Sequence, residues 1–115
     1  MMQFNYRVDN VHTEQLIGFL TLGVLYSLEK ELISIDDAEG FIFMPSVVQV
    51  LKEAKLPEEI INIVASGCEL DDIADIVPDR LMESIKELIA RVAVVIKKGK
   101  KVGRLVNKDL SIIES

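Results

Sequence analysis

Residues 66–81 read SGCELDDIADIVPDRL, and the way this stretch divides into helix ends decides what lies on either side of it. Ser66 and Gly67 stop one helix, residues 69–72 put acids where the next one starts, and Pro78 suits the first turn of a third. The stretch therefore joins a short helical hairpin upstream to a long helix downstream. It is also the most acidic part of the chain. No basic residue lies between Lys55 and Arg80, whereas Glu58, Glu59, Glu69, Asp71, Asp72, Asp75 and Asp79 all do.

Downstream, Leu81, Met82, Ile85, Leu88, Ile89, Val92 and Ile96 recur at helical spacing, and Lys97, Lys98 and Gly99 provide an ending of favourable charge and flexibility. Glu87 and Arg91 stand one turn apart on its outer side. Within the acidic stretch, Leu70, Ile73, Ile76 and Val77 define one apolar side of a short helix. Upstream, Pro57, Glu58 and Glu59 open a helix whose apolar face is Ile60, Ile61, Ile63 and Val64. Before that, Ser46 is expected to cap a helix running to Ala54, after a short buried strand over residues 41–44 that Pro45 ends.

Further back, Ser34 and the acids after it suit one short helical turn ending at Gly40. Residues 13–33 are apolar on nearly every side, which predicts a central buried helix in which Gly18 and Gly23 admit close neighbours. Residues 2–8 alternate Phe4, Tyr6 and Val8 against Gln3, Asn5 and Arg7, the pattern of a strand with one buried face. Residues 102–113 are expected to form a hairpin turning at Asn107, Lys108 and Asp109 and pairing with that strand. The expectation is one domain over residues 1–115, α+β and predominantly helical. A central buried helix and a long C-terminal helix have short helices between them, and the termini supply a small antiparallel β element.

The chain of 115 residues carries 19 acids and 13 bases, for a net charge of −6. Residues 91–115 hold +5 and residues 1–90 hold −11, so the charge is polarised along the sequence. This balance disfavours nucleic acid and anionic membrane as partners. The longest uncharged run, residues 15–28, falls short of the ~20 apolar residues a membrane helix needs. One cysteine, Cys68, and a start without signal-peptide character lead to the expectation of a cytoplasmic protein.

Chemistry-bearing residues are few. Glu69, Asp71, Asp72 and Asp75 supply oxygen ligands for a divalent cation, but their spacing is not that of a calcium-binding loop, and the helix dipole accounts for most of them. Cys68 sits at a helix junction among acids that destabilise a thiolate, so the expectation is a small buried residue. A lone His12 makes neither a triad nor a metal site. Lys97, Lys98, Lys100 and Lys101 suit a helix C-terminus and lack aromatic residues to stack a base. No phosphate-cradling loop or cofactor motif is present.

The segments GCELDDIADIVPDRL and LIGFLTLGVLYSLE resemble a family of small bacterial proteins classed as a domain of unknown function, over residues 12–98. The resemblance implies the domain's length and helix order and no activity. By analogy of class, some small acidic bacterial proteins are immunity proteins that neutralise a toxin. The reading is a non-enzymatic protein that binds another, basic protein through Glu58, Glu59, Glu69, Asp71, Asp72, Asp75 and Asp79, with Asp36, Asp37 and Glu39 as further candidates. The alternatives are a metal-binding or enzymatic use of the same carboxylates, and a homodimer through the all-apolar residues 92–96.

Overall fold

The computed structural model describes residues 1–99, 103–105 and 108–114. It is α+β and predominantly helical. Strand β1 (Met2–Val8) leads through a single 3-10 turn into helix α1 (Thr13–Glu29). The short helices α2 (Ile35–Phe41), α3 (Pro45–Glu53), α4 (Glu58–Gly67) and α5 (Leu70–Ile76) follow, and a second 3-10 turn at Pro78–Arg80 opens α6 (Leu81–Lys98). Strand β2 (Lys108–Glu114) closes the chain against β1.

The core lies where α1, α4 and α6 meet. Leu25, Ile60, Ile63, Val64, Ile85 and Val92 are almost wholly buried there, and α1 packs along α6. The periodic apolar residues of α6 reach this core as their spacing predicts, and Gly18 admits the Ile96 side chain, which a Cβ would meet at 3.1 Å. Gly23, by contrast, faces open space. No helix among the described residues is long and apolar enough to cross a membrane.

Helix α1 is shorter and less enclosed than its composition suggests. It ends at Glu29, where Glu31 takes a left-handed conformation, with φ of 58°. The amide of Leu32 donates to the Ser27 carbonyl and that of Glu31 to the Leu28 carbonyl, a Schellman ending without glycine. Phe19, Leu20 and Tyr26 face outward, and a groove of about 370 Å³ runs between α1 and Phe41. Lys55 ends α3 in the same manner.

Residues 41–44 are not a strand. Phe41 completes α2, and the amides of Ile42 and Phe43 both donate to the Ala38 carbonyl, so the buried pair Ile42–Phe43 forms a turn into the core. Pro45 begins α3 rather than ending a strand, and Met44, not Ser46, occupies its cap position. Ser34 caps α2 as expected: its hydroxyl accepts from the Asp37 amide, and the Asp37 carboxylate accepts from the Ser34 amide, each at 3.0 Å. Gly99 ends α6 in an extended conformation, not a left-handed one.

The termini form an antiparallel pair running from Met2 opposite Glu114 to Val8 opposite Lys108. The expected hairpin is corrected: Lys108 and Asp109 belong to β2 itself rather than to a turn, residues 103–105 form no strand, and β2 alone pairs with β1 among the described residues. Asn107 lies outside the described residues. The face of β1 carrying Phe4 and Tyr6 is exposed, not buried.

Candidate functional site

All seven acids of the sequence-based site are exposed. The described ion pairs are Arg7–Asp109, His12–Asp9, Lys30–Glu29 and Arg80–Glu83, and none of the seven takes part. The fold does not gather them into one patch. Glu58 and Glu59 occupy the first turn of α4, whereas Glu69 to Asp79 surround α5 beyond its other end, on the order of 15 Å away along the helix axis. Asp71, Asp72 and Asp75 share the outer side of α5, since residues three and four apart are neighbours on a helix.

Helix α5 turns out to be only half committed to the core. Leu70 is buried and Ile73 half-buried, but Ile76 is 77% exposed and Val77 is 45% exposed. The helix ends at Ile76, and Val77, with φ of −134° and ψ of 63°, diverts the chain there, so no further turn covers them. Ile76 therefore stands in water one turn from Asp72, beside Asp75 and three residues before Asp79. The sequence lists Ile76 among core-facing residues; a hint to the contrary is that it lies 120° around the helix from Leu70.

No group of three or more His, Cys, Asp or Glu side chains among the described residues could hold a metal ion. Cys68 follows α4 and is half-buried, with its thiol donating to the Val64 carbonyl at 3.3 Å. Burial pushes that thiol's pKa up, and the nearby carboxylates of Glu39 and Glu69 act in the same direction, so it stays protonated and a poor nucleophile. His12 is engaged elsewhere, with Nδ1 2.6 Å from the Asp9 carboxylate, which is held below the ordinary range chiefly by that bond. The two residues are not bonded to each other.

One concavity escaped the sequence reading. A cleft of about 490 Å³ opens where the start of α1, the start of α4 and the last turns of α6 meet. Glu14, Glu59, Glu87, Arg91, Lys98 and Asn62 are its polar lining, over a floor of Ile63, Val94 and Val95. Glu59 alone belongs to the sequence-based set. Glu87 and Arg91 both face this cleft and are not within ion-pair distance of each other. The apolar run at residues 92–96 is largely consumed by the fold: Val92 is fully buried, Val95 and Ile96 are half-buried, and Ala93 and Val94 remain outside.

A sequence-family profile described as "Protein of unknown function (DUF3969)" matches residues 8–110. The chain belongs to this family. The match is wider than residues 12–98 and takes in the end of β1 and the start of β2, so the strand pair falls partly within the family's domain. No curated protein and no solved structure matches the chain.

Proposed function

We propose that this is a non-enzymatic bacterial cytoplasmic protein that binds a basic protein partner through the outer side of α5. The observation that carries the reading is Ile76, exposed at 77% and flanked by the carboxylates of Asp72, Asp75 and Asp79, none of which forms an ion pair among the described residues. Carboxylates alone are at home in water and need no partner. An aliphatic side chain fixed among them is another matter, since interfaces combine an apolar centre with a charged rim that sets orientation and encounter rate. Glu69 and Asp71 extend the rim, and Glu58 and Glu59 form a separate acidic group at the far end of α4. Neutralising a toxin, as immunity proteins do, is one form such binding takes.

Capture from a lysate of the source organism tests this when wild type is compared with a variant carrying Asp71→Asn, Asp72→Asn and Asp75→Asn. The expected result is a basic protein retained by wild type at low salt, lost at high salt and lost in the variant. Equal retention by both proteins at all salt concentrations would overturn the reading.

A second reading, a small ligand held or transformed by carboxylates, rests on the cleft, whose volume falls in the range of ligand sites and where Glu14, Glu59 and Glu87 face Arg91 and Lys98. Titration calorimetry with small zwitterionic ligands tests it. Heat that disappears in Glu59→Gln would favour it, and no heat at millimolar ligand would remove it.

A further inference from the structure

The strand pair at the termini leaves an apolar face in water. Directly opposed residues in an antiparallel pair point to the same side, so the register places Met2, Phe4, Tyr6, Leu110 and Ile112 on one face. The pairs Gln3–Ile113, Asn5–Ser111 and Arg7–Asp109 lie on the other, where Gln3, Arg7 and Ile113 are exposed as well. A sheet with one solvated face ordinarily turns its polar side to water. Here the polar pair Asn5 and Ser111 is half-buried, while Phe4 is 70% and Ile112 68% exposed. The ribbon also packs extensively only on itself, and two strands without a third or a covering layer are marginal in water.

We propose that the apolar face of this ribbon is covered by the same face of a second copy of the chain, the two ribbons stacking about a twofold axis that runs across the strands. Two features select a second copy over another occupant. The first is area: a large side chain offers on the order of 200 Å² when fully exposed, so the five apolar residues leave about 600 Å² in water, most of the ~800 Å² per partner that a stable interface uses. The second is charge. Lys108 and Glu114 lie on this same face at opposite ends of β2, about 20 Å apart. The twofold axis reverses the strands, which sets Lys108 of each copy over Glu114 of the other, so the face is complementary to itself in charge. A basic or an acidic partner would leave one of these two charges opposed to its own kind.

Sedimentation of the full chain across a concentration series tests the proposal. Wild type is expected to be a dimer. Phe4→Glu with Ile112→Glu is expected to give a monomer with an unchanged helical circular dichroism signal, because the ribbon contributes little to the helical core. Lys108→Glu, a rim change that leaves the strands intact, is expected to raise the dimer Kd about tenfold or more, and adding Glu114→Lys to recover it. A wild-type monomer at high micromolar concentration would overturn the proposal. So would a dimer that withstands Phe4→Glu with Ile112→Glu but is broken by Val94→Glu, since the interface would then lie on α6, and so would a charge swap that fails to recover affinity.

Discussion

Gly67 is the last residue of α4, a position where its sequence role is that of a helix terminator, yet it is helical and buried. The reason is Phe43: a Cβ on residue 67 would overlap the aromatic ring, which is itself buried and has nowhere to swing. Gly67→Ala gains up to ~1 kcal/mol of helix propensity and loses about 1–3 kcal/mol to overpacking. Net destabilisation in urea unfolding is the expected outcome, and an unchanged or raised midpoint would show that the ring moves aside. Ile76 illustrates the reverse limit. Its residue type looks core-like, but it lies about 120° around the helix from Leu70, and Pro78 ends the helix directly after Val77, so it stays outside.

Helix starts were legible because their chemistry is local. Ser34 and Asp37 satisfy each other's amides across three residues, and Pro57 and Pro78 stand at the entry of the elements they introduce. Helix ends were less so. α1 and α3 close on Glu31 and Lys55 in the left-handed conformation, so the glycine that signals such an ending is missing and α1 reads four residues too long. The capping box also yields a pH dependence. The Asp37 carboxyl is held below the ordinary value of 3.8, chiefly by the Ser34 amide and then by its hydroxyl. A folded-state pKa depressed in this way adds stability that is present above pH 3.8 and disappears as pH falls through the lower folded value. Asp9 acts in the same direction through His12. Asp37→Asn should therefore lower stability at neutral pH and converge with wild type in acid. A difference that persists undiminished at pH 2 would mean that the charge is not what matters. Ser34→Ala, which removes the other half of the box, should cost about 1 kcal/mol.

At the scale of the molecule, helical periodicity sufficed for α6 and its buried face, because one continuous apolar stripe has only the core to face, whereas its packing along α1 emerges only in the fold. Alternation likewise located β1 and its pairing with the C-terminal segment, but not which side of the pair meets solvent, a property of the assembled fold rather than of any strand. The candidate site was legible as composition and not as shape. The seven acids divide between two ends of α4, and the cleft between α1, α4 and α6 joins residues some 85 positions apart. The two proposals place self-association at the terminal ribbon and partner recognition at α5, on separate parts of the molecule.

Hydrogen exchange of the chain, alone and bound to a captured basic protein, distinguishes α5 from the cleft as the binding surface. Slowed exchange is expected across residues 69–77 on binding, with the amides of α5 the most affected and the protection lost in Ile76→Asp. Protection confined to the cleft residues of α4 and α6, with α5 exchanging as in the free chain, would contradict binding through α5.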